Sequence, residues 1–503
     1  MAEKKSDTSA REPLPPIDRK TVKSGLINIG AVGENERPKS SVSESINFHF
    51  DSIGNATVRK GSTQLGDTLT GNILGMHYLV DTVTAGANTQ MIVVNGTVAY
   101  YLSGGVWTSK RTGLTVGSKA RFTTYLDFAF MVNGTEATSV WDGSASAFST
   151  VGNALNAPTG RYVENFRSRV WIAGNTTYPD RLYYSSIPSA TVTPVVSWNT
   201  DVATGQWIDI SPSDGDTITG LQRFRTTMLV FKTNRMYRVF DIGQTDPDPY
   251  YAVGTSSQES VIETKAGVFF HHATGFFQYN IYGIVQEISR PIWDIVRAIP
   301  VSSYTSVAGW VEVDGDHVCW SIGTVTVGGV TYPNHVVRFT ISTQAWTHYQ
   351  YPTAFLCAIK RQPLYTDGVT QFSVVGDNTG HIIETNVGLT DFDGSPIVYS
   401  LVHGWDNVDG LLSTRKLVMT GNFSHYRGSG TNVAYQTEIN DPDNLNDWTK
   451  KVGQLEQSNS GFNSMGIKGR KIRFRIWGES SGQPFIYSGY ELIGVINEFL
   501  QFS

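Results

Sequence analysis

The sequence predicts an all-β protein: a β-propeller of about seven blades, then a C-terminal β-sandwich, preceded by an extended N-terminal arm. Three observations carry this. Short apolar runs bounded by turn residues return through the middle of the chain. The 50 glycines, 23 tyrosines, 24 phenylalanines and 12 tryptophans among 503 residues are a composition of strands and turns. Beyond about Pro396 the continuous apolar runs give way to apolar–polar alternation, which marks strands with one face in a core.

The elements follow in chain order. Residues 1–45 are polar and Pro-rich ("EPLPPIDRK", "GENERPKSSVSES") and bury too little to order themselves. They read as an extended or disordered arm, or as one that orders on a neighbouring subunit. At full extension ~45 residues reach well over ~100 Å. No apolar segment stands at the N-terminus, so no signal peptide is expected, and no run approaches the ~18 apolar residues of a membrane helix.

Residues 46–395 are assigned to the propeller. In "QMIVVNGTVAYYLSGGVW" (Gln90–Trp107) and "FAFMVNGTEATSVWDG" (Phe128–Gly143), an apolar run meets Asn-Gly and a second run follows. Asn95-Gly96 and Asn133-Gly134 read as type I′ hairpin turns, because that turn needs φ > 0 at both central residues. The pattern returns in "RVWIAGN", "MLVFKTNRMYRVF", "VFFHHATGFFQYNIYG", "WVEVDGDHVCWSIG" with Asp314-Gly315 at its turn, and "QFSVVGDNTGHIIETN". Units of roughly 40–55 residues are the spacing of four-stranded blades. The middle strands lack polar alternation, as strands covered on both faces must. The stretch Ser186–Trp207 reads as an insertion. A large sandwich with hairpins alike by chance is the competing reading.

Residues 396–503 are assigned to the sandwich, on "RKLVMTGNF", "NVAYQTEIN", "KIRFRIWG" and "FIYSGYELIGVI". In "IKGRKIRFRIW" the cations Lys471, Arg473 and Arg475 alternate with Ile472, Phe474 and Ile476. A strand puts all three cations on one face. That face is either solvated or a basic stripe for a partner's carboxylates or a nucleic-acid backbone.

The chemistry-bearing motifs are missing. There is no phosphate loop, dinucleotide fingerprint, HExxH or CxxC pair. His271 and His272, neighbours in a strand, face opposite ways and do not share a metal. Asp441, Asp443 and Asp447, and Asp391 and Asp393, lack the full calcium-loop pattern and read as turns. Cys319 and Cys357 sit in apolar surroundings and read as buried free thiols. No catalytic residue, metal or cofactor is expected. "SWNTDVATGQW" (Ser197–Trp207) is one poor copy of a sialidase-like Asp box, so a glycosidase needs an acidic pair at the propeller axis. The net charge of −5 is small for the length and excludes a strongly basic, nucleic-acid-binding chain.

The segment "SESINFHFDSIGNATVRKGSTQLG" (Ser43–Gly66), with Asn47, Gly54, Arg59 and Gly61, resembles the start of tail hub or nozzle proteins of short-tailed phages, the packaged-DNA stabilisation proteins among them. "FRSRVWIAGNTTYPDRLYYSSI" and "DTITGLQRFRTTMLVFKTNRMYRVFDIG" are similar to that family's blades. The resemblance runs from about residue 43 to 395, and more loosely beyond. It implies a virion protein of the tail, assembled in the host cytoplasm, forming a ring with itself, commonly a hexamer. It further implies contact with portal or adaptor proteins and with tail spikes or fibres, and genomic DNA passing through the channel. A receptor- or carbohydrate-binding propeller is the alternative.

Overall fold

The computed structural model describes residues 25–26, 41–51, 53–80, 90–144, 147–149, 154–188, 196–201, 204–245, 251–312, 314–359, 373–406, 415–426, 430–437, 450–456, 458–469, 471–480 and 485–498. The protein is all-β; helix is confined to Trp293–Ala298 and short 3-10 turns among the described residues. Most of the arm, the Asp441–Asp447 cluster and part of the Ser186–Trp207 stretch lie outside the described residues. The chain divides into two compact units.

One unit spans Gly61–Ser342 and Gln350–Asp393. Among its described residues, small antiparallel sheets succeed one another along the chain. The first is Ile73–Leu79, Gln90–Asn95, Val98–Ser103 and Val106–Arg111; the second is Arg121–Tyr125, Phe128–Val132 and Ser139–Trp141. The third is Tyr162–Phe166, Arg169–Ala173, Arg181–Tyr184 and Trp207–Asp209. The fourth begins at Ile218–Phe224, the fifth at Ile262–Thr264, and the meander Ala308–Val311, His317–Val327, Val330–Thr340 follows. The last holds Phe355–Ala358, Ser373–Asp377 and Ile382–Thr385, and its outer strand is Ser62–Gln64 from the other end of the unit.

First strands lie against first strands around the series. Ile73–Leu79 lies beside Arg121–Tyr125, which lies beside Tyr162–Phe166, then Ile218–Phe224. The 3-10 turn Gln258–Ser260 continues the series into the fifth sheet, and Ala308–Val311 meets Phe355–Ala358, which returns to Ile73–Leu79. The series is therefore closed on itself.

The apolar runs explain the packing. Thr227–Lys232 and Gly267–His272 are buried at every position. Each such strand shows side chains on two faces, and both faces meet a neighbouring sheet. Trp171 and Leu182 of the third sheet share one core with Leu221 and Val230 of the fourth. Phe231 of the fourth shares another with Val268 and Phe270 of the fifth. Ile73 and Val93 of the first pack with Val374 and Ile382 of the last.

The turns differ in detail from their sequence reading. Asn95 is the last ladder residue, paired with Val98, so the two-residue loop is Gly96-Thr97. Positive φ falls on Gly96 alone, at +56°, the arrangement of a II′ rather than a I′ turn. The buried Asn95 amide instead donates to the carbonyls of Gly71 and Asn72, at 3.0 and 3.1 Å. Asn133-Gly134 opens a longer loop, where Asn133 Oδ1 accepts the N–H groups of Thr135 and Glu136 at 3.2 and 3.0 Å. Asp314-Gly315 lies in the loop before His317, with Gly315 at φ +71°.

The other unit holds Met1–Lys60, Thr343–Tyr349 and Gly394–Ser503. It contains the alternating C-terminal strands, and also residues 41–60, which the sequence reading divided between arm and propeller. Ser41–Ile46 pairs antiparallel with Ile397–His403. That strand pairs with Ile472–Ser480, which pairs with Asn432–Thr437. A second sheet runs Phe48–Phe50, Ala56–Val58, Ile486–Glu498, Arg415–Tyr426, Ser458–Gly469. Aromatic rings join the sheets: Phe474 lies 5.2 Å from Phe423 and 4.9 Å from Tyr490, and Phe48 lies 5.5 Å from Tyr399. The reassignment has a plain cause, since a strand's partner hundreds of residues away leaves no mark on its own alternation.

His271, His335 and His403 are buried, and burial lowers each to about 3. They fold neutral, whereas in the unfolded chain they titrate near ~6.5. Their folded values are depressed, so no cost exists above ~6.5. Stability is lost as the pH falls from there towards 3, by up to about 1.4 kcal/mol per histidine per pH unit. Thermal melts are expected to fall steadily between about pH 6.5 and 4.5, before carboxylates titrate. A flat melting temperature over that interval would contradict the burial of these rings.

Candidate functional site

The first strands of the closed series supply the walls of a cavity of about 240 Å³ that reaches solvent. A first strand cannot turn all its side chains into the inter-sheet cores. The side chains left over line the cavity, polar groups beside apolar ones such as Tyr78 and Phe122. Arg121, Thr123, Glu164, Gln222, Glu259 and Glu263 line the cavity.

Arg121 organises one side. Its Nε donates to Glu259 Oε1 at 2.8 Å and its Nη2 to Oε2 at 3.2 Å, a bidentate pair, and Nη1 donates to the Arg161 carbonyl at 3.0 Å. Its guanidinium also stacks 4.7 Å from the Tyr162 ring. Burial would lower its pKa, but Glu259 outweighs that and raises it. Lys119 Nζ reaches the same carboxylate at 3.3 Å. Opposite chemistry lines the rest. Glu164 Oε1 accepts the Asn165 N–H at 2.9 Å, and Gln222 Nε2 donates to Glu263 Oε2 at 3.1 Å. His77 stacks on Phe122 at 5.4 Å with the rings 8° from parallel, and its Nε2 lies 2.7 Å from Thr124 Oγ1. Cys357 also lines the wall, where burial pushes its thiol up to about 12, so it is an inert lining group and not a nucleophile.

None of these residues stood out in the sequence. They come from elements far apart in the chain: the strands Arg121–Tyr125, Tyr162–Phe166, Ile218–Phe224 and Ile262–Thr264, and the 3-10 turn Gln258–Ser260. The one readable signal was general: a glycosidase would need an acidic pair at the axis of a propeller, and the glutamates that line this cavity are tied up in hydrogen bonds, Glu259 to Arg121 and Lys119 and Glu263 to Gln222.

The basic strand is different from its sequence reading. Lys471 precedes the strand Ile472–Ser480, in which Arg473 is buried and Arg475 half-buried. Arg473 pairs in register with Gln436 on the neighbouring strand, and its Nε donates to Gln436 Oε1 at 2.8 Å. Its guanidinium lies 4.5 Å from the Trp405 ring. Arg475 Nε donates to Ser400 Oγ at 3.1 Å, and Ser400 Oγ donates in turn to Glu44 Oε1 at 2.8 Å. The cations therefore do not form one exposed stripe. Alternation placed them on one face, but it could not show that Trp405 and Gln436 cover that face.

One group among the described residues could hold a cation: Glu312, Asp314 and His317, with ligand atoms within 4.8 Å of one another. Arg338 already holds Glu312 Oε2 through Nε at 3.2 Å and Nη2 at 3.1 Å, and His317 Nδ1 lies 2.5 Å from Asp314 Oδ2. A divalent ion would have to share Glu312 with a buried guanidinium, so the group reads as an ion-pair network. Asp391, from the "DFDGS" turn, accepts a hydrogen bond from Ser62 Oγ at 3.1 Å and is structural. His271 packs on Phe276 and Tyr304 while His272 packs on Phe277, so the pair does face two ways.

No known family and no curated protein matches the chain. Among solved structures it is similar to the computationally designed Ika8 protein, at 10% identity and a TM-score of 0.37, over 65% of this chain and 100% of that one. It is also similar to BamB from Moraxella catarrhalis, at 9% identity and a TM-score of 0.37, over 75% of this chain and 98% of that one. Neither likeness is close enough to carry a function to this chain.

Proposed function

We propose that the chain is a structural protein of a phage tail, a hub or nozzle subunit that forms a ring, probed best by its assembly and not by an activity. In this reading the closed series of sheets is a seven-bladed propeller and the other unit is a β-sandwich. The observation that carries it is the segment on which the family resemblance rests. Asn47, Gly54 and Arg59 shape the first strands of one unit, and Gly61 opens the other. Asn47 takes φ +59°, donates from Nδ2 to the Val398 carbonyl at 2.7 Å, and accepts from Arg59 Nε at 2.9 Å. Gly54 takes φ +100° in the turn between Phe48–Phe50 and Ala56–Val58. Gly61 then leads into the outer strand that completes the last sheet. A shared motif of this kind specifies architecture and asks for no catalytic step, as a load-bearing part does.

The cavity of about 240 Å³ cannot pass a duplex, so a DNA channel would be formed between copies. Negative-stain microscopy of the pure protein, alone and with portal complexes, tests the reading. Rings of several copies with a duplex-wide pore are expected. Monomers that stay single in both conditions would overturn it. The alternative, a receptor- or carbohydrate-binding propeller, is favoured by the polar cavity itself.

A further inference from the structure

We propose that the central cavity binds one small organic ammonium ion that carries further hydrogen-bond donors. Three features converge. At about 30 Å³ per water the volume holds about eight waters, or one molecule of roughly a dozen non-hydrogen atoms. The carboxylates of Glu164, Glu259 and Glu263 line the wall against the Arg121 guanidinium and the Lys119 ammonium that both hold Glu259, a formal excess of one negative charge. A concave site with low-dielectric walls concentrates that field and draws cations while it repels anions.

The third feature is the apolar part of the wall. Phe122, the His77 ring stacked on it and Tyr78 line this part of the wall, and with Val163 and Ala358 they give a ligand's carbon skeleton an apolar surface. Gln222 and Gln258, held by backbone and by Glu263, fix the positions of neighbouring polar atoms. This mix of pre-formed apolar wall and few convergent polar groups is the make-up of a small-molecule site. Arg121 is clamped bidentately and stacked on Tyr162, so it acts as a positioning residue for Glu259. The inference does not depend on the tail reading.

D-glucosamine is a suitable probe, because its N-acetyl derivative has the same ring and no charge. Calorimetric titration of the full chain near neutral pH is expected to show saturable one-to-one binding of glucosamine. N-acetylglucosamine should bind at least about tenfold more weakly, and ethanolamine, but not ethylene glycol, should displace glucosamine. Glu263→Gln and Glu164→Gln should each weaken binding about tenfold, which is ~1.4 kcal/mol, with an unchanged melt. No saturable binding, equal affinity for the N-acetyl sugar, or folded variants that bind like the parent would each overturn the proposal. If a variant fails to fold, the charge comparison on the parent protein decides alone.

Discussion

Replacing Lys232 by methionine is expected to destabilise the protein by about 3–5 kcal/mol, the largest effect of any single substitution considered. Lys232 is fully buried at the end of an apolar strand. Its Nζ sits among oxygens: Asp214 Oδ1 at 2.7 Å, Asp180 Oδ1 at 2.9 Å, and the carbonyls of Ser211 and Asp216 at 3.1 and 3.2 Å. Burial would lower its pKa, yet the hydrogen bonds it donates to the two aspartates raise it. Burial would likewise raise Asp214, but Lys232 leads the groups that hold it at about 2. Methionine fills the space and removes the charge. Two carboxylates and two carbonyls then face a thioether, which is the costly half of breaking a buried pair. Asp214 keeps Arg235 Nη1 at 2.9 Å on its Oδ2, so the charge left stranded is that of Asp180, and adding Asp180→Asn to the methionine variant should recover about 1–2 kcal/mol. Urea unfolding measures both. A methionine variant within about 1 kcal/mol of the parent would show that the ammonium is not what holds the Ser211–Asp216 loop.

Changing Gly61 to alanine is the second large effect, expected to cost about 2–4 kcal/mol. A Cβ on Gly61 would lie 1.9 Å from the Thr390 carbonyl oxygen. The clash is with backbone, so no side chain can swing aside. The bonds around it would open together: Gly61 N–H to Gly388 O at 3.1 Å, Val387 N–H to Gly61 O at 3.1 Å, and Ser62 N–H to Thr390 O at 3.0 Å. Ser62 Oγ also donates to Asp391 and accepts the Phe392 N–H at 3.1 Å. These bonds seat Ser62–Gln64 on Ile382–Thr385 and so close the series of sheets. Ser62→Ala, which removes hydroxyl bonds alone, should cost about 1 kcal/mol. Limited proteolysis should cut the alanine variant near residue 61 well before the parent. A Gly61→Ala protein as resistant and as stable as the parent would mean the closing strand contributes little.

The repeat was legible because it is local. An apolar run of five residues, a turn and a second run mark a hairpin wherever they fall, and burial at every position of Gly267–His272 follows from sheets on both sides. What pairs across distance was not legible. Ser62–Gln64 carries no sign that it belongs beside Ile382–Thr385, and Ala56–Val58 none that it belongs beside Ile486–Tyr487. The cavity was invisible for the same reason. Arg121, on a strand of the second sheet, and Glu259, in the 3-10 turn before the fifth, meet only through the closed arrangement of the series. The turn at Asn95 was one residue off, since the side chain of Asn95 is used by two carbonyls upstream and the Gly alone takes positive φ. Arg473 was read from alternation, which gives a face but not what covers it.

The division of one unit among three stretches of chain sets a timetable for its synthesis. Ala56–Val58 leaves the ribosome early, and its partner strand begins at Ile486. Phe48–Phe50 can pair with the early strand at once, but at ~5–20 residues per second that strand's other edge waits on the order of tens of seconds for Ile486–Tyr487. Ser62–Gln64 waits nearly as long for Ile382–Thr385. The intervening sheets can pair as they emerge, since their hairpins are local. Nascent chains therefore pass through a state in which most hairpins exist while the seam and the split unit do not. That state shows open strand edges to other nascent chains, and slowing translation late in the message would lengthen it.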